Sequence, residues 1–142
     1  MRISYIPKKH QSLLRDIRIT NEGFLTSSGI AVRKPGGIVH IRPSVSVKSR
    51  SGKISIAHEF GHQVWDFYLT SSQRKLYRDE YSKIRATIPK HAPSYEVYSK
   101  LHGESPEESF AEIYGLYHGA KKERKYWKQK HPNLISLLER IT

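Results

Sequence analysis

A chain of 142 residues and 16.5 kDa is one ordinary domain's worth of sequence, and predicts a single domain over residues 1–142. Lysine and arginine number 25 against 13 acidic residues, giving a formal charge of +12 and a pI near 10.0. Cysteine is absent, which excludes disulfides, thiolate-bound zinc and thiol nucleophiles; any metal must be held by the eight histidines and the carboxylates. No apolar run reaches membrane-spanning length, and MRISYIPKKHQ has no signal-peptide core. As written, the sequence predicts a cytoplasmic protein, or a secreted one if an export signal has been removed. The charge predicts either a well-solvated surface or an acidic partner.

The elements come in two halves. Leu13, Leu14 and Ile17 suggest a short amphipathic helix over His10–Ile19. Gly29–Arg33 and Ile38–Ile41 flank Lys34-Pro35-Gly36-Gly37 and predict a β-hairpin, with Pro43 placing the second strand at an edge or ending it there. Ile54, Ala57, Gly61, Val64 and Tyr68 recur at helical spacing and predict a helix from Lys53 to Leu69. A second helix is expected over Ser72–Ala86, with Leu76, Tyr77, Tyr81 and Ile84 inward. Ile88–Gly103 reads as an irregular loop.

Ser105-Pro106-Glu107-Glu108 then opens a third helix, with a serine N-cap, proline in the first position and acids in the first turn. That helix is expected to reach His118, with Gly119 as its stop. A basic helix near Lys121–Lys130, a break at His131-Pro132 and an apolar helix Leu134–Ile141 complete the chain. Strands followed by helices predict an α+β fold, a small N-terminal sheet with a helical C-terminal part.

The chemistry concentrates in HEFGH, residues 58–62. Two histidines four apart share one helical face, so His58 and His62 can reach one ion, and Zn²⁺ suits such donors. Glu59 sits about 100° round the helix. It is better placed to take a proton from a water on the metal than to be a ligand. A catalytic zinc needs a third protein ligand. The candidates are His91, His102, Glu104, Glu107, Glu108 and Glu112. Glu108 and Glu112, in ESFAE, share a helical face, which suggests one ligand and one carboxylate that orients a ligand imidazole. Glu108 also fits a capping box with Ser105, which would turn it away from a metal. Of the pair Glu108 is preferred as the ligand, with Glu112 the alternative.

HEFGH followed by ESFAE resembles the catalytic domain of anthrax lethal factor and the related clostridial Pro-Pro endopeptidases. These are zincin metallopeptidases of the gluzincin type. The similarity covers roughly Gly52–Thr142. It implies His58, His62 and Glu108 as zinc ligands, Glu59 as general base and Glu112 as the carboxylate behind a ligand. It also implies an oxyanion-stabilising tyrosine before the third ligand. Tyr95 matches that tyrosine in local context and Tyr98 in spacing.

The expected activity is therefore a zinc endopeptidase, a monomer acting on a peptide or protein substrate with acidic character, substrate lying along the edge strand Ile38–Arg42. A basic module that binds nucleic acid or an anionic surface, its metal site structural or degenerate, is the alternative. A zinc hydrolase acting on a cell-wall amide is a third reading. Retention of Glu59 argues against a purely structural zinc, so nucleic acid is not the leading partner.

Overall fold

The computed structural model describes residues 4–19, 29–31, 36–41, 48–84 and 105–142. Within them the order is α1 (Lys8–Gln11), β1 (Leu14–Ile19), β2 (Gly29–Ala31), β3 (Gly37–Ile41) and α2 (Arg50–Gln63). A π-helical turn (Val64–Tyr68) leads to α3 (Ser71–Ile84). Then come α4 (Pro106–Gly119), a 3₁₀ turn (Lys121–Glu123), α5 (Arg124–Lys130) and α6 (Pro132–Ile141). A small sheet followed by packed helices is the expected α+β arrangement.

Two expectations for the first half are corrected. The region read as a helix over His10–Ile19 is helical only at α1, and Leu14–Ile19 is a strand. Leu13, Leu14 and Ile17 satisfy either period over so short a stretch, and pairing with β3 decides the outcome. That pairing is parallel, Ile17 opposite Val39 and Arg18 opposite His40, with a register shift between Leu14 and Asp16.

The hairpin between the Gly29 and Ile38 segments forms as expected, Ala31 opposite Val39, with Gly36 at φ +68° in the left-handed region its turn requires. Because β1 adds to the other side of the hairpin, the strand order is β1-β3-β2 and β3 lies in the centre. Ile38–Ile41 is therefore not an edge strand. Its hydrogen bonds are taken on both sides, which leaves no room there for an added substrate strand.

The helical half follows the sequence more closely. Ser49 caps α2, its Oγ accepting from the Gly52 amide at 3.1 Å. In α3 Tyr77 and Tyr81 are buried, while Leu76 and Ile84 are partly so. Ser105 caps α4, with Pro106 in its first turn. Gly119 ends α4 where a stop was expected, but it is not in the left-handed region; the cap is Ala120. Gly119 serves contact instead. A Cβ there would lie 2.7 Å from the Ile54 Cα, one at Gly115 would lie 2.9 Å from the Ile54 carbonyl oxygen, and one at Gly61 2.8 Å from the Ala111 Cα.

These three glycines let the backbones of α2 and α4 touch, with no side chain between them. Around that contact Ile56, Phe60, Val64, Trp65, Tyr77, Phe110 and Tyr114 form the core, closed below by the apolar face of α6, Leu134, Leu137, Leu138 and Ile141. At the end of α2, buried Gln63 donates to the Leu13 carbonyl at 2.8 Å and ties the sheet to the helix pair.

Candidate metal centre

His58 and His62 stand one turn apart on α2, and the antiparallel crossing with α4 brings Glu108 over both. The Nε2 atoms of the two histidines are 3.1 Å apart. His58 Nε2 lies 2.9 Å from one Glu108 carboxylate oxygen and His62 Nε2 lies 3.1 Å from the other. One donor atom from each of the three residues falls within 4.8 Å of the others.

Ligands at about 2.0–2.1 Å from a tetrahedral zinc stand roughly 3.4 Å from one another, so the separations need only a few tenths of an ångström to admit an ion. Two imidazole nitrogens facing each other and one carboxylate also need a positive species between them, a proton or a cation. The donor set, two imidazole nitrogens and one carboxylate, fits Zn²⁺.

Glu112, one turn along α4, places its carboxylate 3.6 Å from His58 Nδ1. A negative group on that side of the ring favours the proton on Nδ1, which would leave the Nε2 lone pair available to a cation. The two carboxylates of ESFAE are thereby divided, Glu108 on the Nε2 side and Glu112 on the Nδ1 side. Burial pulls the His58 pKa down, but the hydrogen bond with Glu108 and the charges of Glu112, Glu59 and Glu108 outweigh it, so it rises above the ordinary histidine value. The negative field that favours a protonated ring equally favours a divalent ion in its place.

Local structure sorts the candidate ligands. Glu107 turns toward α3, where its carboxylate lies 3.6 Å from Arg78. Ser105 Oγ accepts the Glu108 amide at 3.3 Å, which is half of a capping box, while the Glu108 carboxylate is at the histidines and not at the Ser105 backbone. Buried Ser109 fixes this end of α4 further: its hydroxyl donates to the Pro106 carbonyl at 2.8 Å and meets the Tyr77 hydroxyl at 3.1 Å. Glu59 is half-buried on α2 beside His58. Tyr95 and Tyr98, with His91, His102, Glu104 and the Ile88–Gly103 loop, lie outside the described residues.

A second histidine pair carries no signal in the sequence. His10 is fully buried; its Nδ1 is 2.7 Å from the Tyr114 hydroxyl, and its ring meets Tyr68 edge-on at 4.5 Å. His118, one turn beyond Tyr114 on α4, packs its ring 4.4 Å from that tyrosine. Burial, and then the charge of Lys9, push His10 down to about 4. Burial, then Arg124, His10 and Lys121, push His118 down to about 3. Both rings are neutral at pH 7. Nothing in the spacing of single histidines distinguishes such packing from ligation.

No helix among the described residues is long and apolar enough to cross a membrane. Neither a protein-family model, nor a curated protein, nor a solved structure matches the chain.

Proposed function

We propose that the chain is a zinc-dependent endopeptidase of the zincin type. The observation that carries this reading is the convergence of His58, His62 and Glu108 with Glu112 behind His58. A zinc ion held there supplies Lewis acidity, lowering the pKa of a water and polarising a peptide carbonyl.

The protein groups do the rest. His58, His62 and Glu108 would hold the ion. Glu112 fixes the His58 tautomer. Glu59, adjacent in sequence to a ligand but on a different helical face, takes a proton from the attacking water and returns it to the leaving amine. Closely packed aromatic and aliphatic residues on α2 and α4 hold the two helices, and with them the three donors, in place. An oxyanion donor in the Tyr95–Tyr98 stretch completes the proposal.

The test is cleavage of a peptide library with and without a chelator. Wild-type protein should cleave and lose activity with metal removal. Glu59→Ala should retain stoichiometric zinc by elemental analysis and lose turnover by at least about a thousandfold. Undiminished cleavage by Glu59→Ala, or its failure to hold zinc, overturns the assignment of roles.

A further inference from the structure

Among the described residues a concentration of cations lies away from the histidine–carboxylate cluster, where α2 begins and α4 ends. Lys48, Arg50, Lys53, Lys121, Lys122 and His118 line a cavity of about 500 Å³, within the range of small-molecule sites, and no carboxylate is among its described lining residues. A cavity of the same volume by α5 and α6 gives the contrast. There Lys128 is paired with Glu139 at 3.0 Å, so an acid within the lining offsets part of the positive charge of Lys128 and Arg140.

The backbone adds to the imbalance. The N-terminal end of a helix carries positive potential and ordinarily attracts Asp or Glu into its first turn. The first turn of α2 has no acid, and Arg50 and Lys53 occupy it instead. Lys53 in that turn adds to the positive potential of the helix end rather than offsetting it.

Lys121 and Lys122 have one ordinary explanation, offsetting the carbonyl end of α4. Arg124 already does this, donating from Nε and from a terminal nitrogen to the Tyr117 carbonyl at 3.1 and 3.0 Å. Tyr5 adds an aromatic wall to the same cavity, with Lys53 Nζ 5.9 Å from its ring centre, so the Lys53 ammonium is held at the cavity rather than drawn to an acid.

His118 forms a neutral wall, kept uncharged by burial and by the neighbouring cations. A neutral imidazole offers a hydrogen bond without adding to the repulsion.

We propose that this cavity binds a small anion carrying several phosphate charges, held by Lys48, Lys53, Lys121 and Lys122. Ammonium groups act as mobile point charges and suit the many oxygens of phosphate, whereas a lone carboxylate would leave most of them unmatched. The anion is either a free polyphosphorylated compound or closely spaced phosphates on a protein side-chain cluster. The site is independent of the peptidase reading.

Calorimetric titration of the full chain with inorganic tripolyphosphate at 150 mM salt, near the physiological ionic strength, tests it. A parallel arm uses a doubly phosphorylated serine peptide. Saturable binding at one site per chain is expected in at least one arm. Lys53→Gln and Lys121→Gln should each weaken it by about tenfold. Lys75→Gln, whose ammonium pairs with Asp79 on α3, should leave it unchanged. Circular dichroism melts confirm that each variant folds, and chelator-treated protein should bind as tightly as untreated.

Response in the tripolyphosphate arm marks a free ligand, and response in the peptide arm alone marks a protein-borne one. Either supports the site. Loss of equal size in all three variants, or binding that never saturates, assigns the attraction to the overall +12 charge and overturns the proposal.

Discussion

His58 and His62 on one side of the helix pair, and His10 and His118 on the other, are the same residue type put to opposite use. Around His58 three carboxylates outweigh burial and raise the pKa; around His10 and His118 burial and nearby cations lower it to about 4 and about 3. The first pair is an invitation to a cation. The second is a packed, uncharged part of the interior that hydrogen-bonds and stacks on Tyr114. Burial alone therefore does not tell a ligand from a packing residue; the charges of the facing side chains do.

The sharpest way to separate the pairs is to remove one ring from each. His58→Ala should lower zinc affinity by more than about a thousandfold while the metal-free protein still melts cooperatively; a competition titration with a chromogenic chelator measures the first and calorimetry the second. His10→Ala should do the reverse, with zinc affinity unchanged and stability in denaturant reduced by about 3 kcal/mol, because it empties a fully buried position and strands the Tyr114 hydroxyl. Equal effects of both variants on metal binding would dissolve the distinction.

Acidification isolates the second pair. The folded pKa values of His10 and His118 lie below the ordinary 6.5, so the unfolded chain takes up protons first. Their contribution is intact above pH 6.5 and falls as the pH drops from there toward 4 and 3. The loss should be on the order of 2 kcal/mol for each histidine by pH 5, about 4 kcal/mol together, in chelator-treated protein, and His10→Ala should remove about half of it. The smallest expected effect is that of Glu112→Gln, which keeps a polar group beside His58 Nδ1 but removes its charge: zinc affinity should fall by about tenfold, far less than for Glu108→Gln. The opposite ranking, read in the same chelator competition, would exchange the roles of the two carboxylates.

The four site residues were legible because HEFGH and ESFAE are local patterns whose faces follow from helical periodicity. Ser105 and Pro106 fixed where the second helix begins, and so which way Glu108 and Glu112 project. That the two helices touch at all was not legible. It depends on Gly61, Gly115 and Gly119 meeting backbone on the opposing helix, and a glycine within a helix reads equally well as a weak point or a stop. Gly119 was taken for the latter. The sheet was harder still. Leu14–Ile19 becomes a strand through pairing with Gly37–Ile41, a contact between distant segments, and the same pairing moves β3 from edge to centre. Local propensity carries no information about either.

The turn Val64–Tyr68 holds one residue more than an α-helix would use, shown by the Leu69 amide reaching the Val64 carbonyl at 2.9 Å. One extra residue rotates everything downstream by about 100° relative to HEFGH. Arg74 steadies the widened turn, donating from one terminal nitrogen to the carbonyls of Trp65 and Leu69. Deleting a single residue there would restore the α-helical repeat as far as Tyr68 and leave His58 and His62 where they are. It would also swing Tyr68 off His10 and α3 off Phe110. The insertion thus sets the phase between the segment carrying His58 and His62 and the residues that follow it, so a one-residue change in length there alters which faces meet.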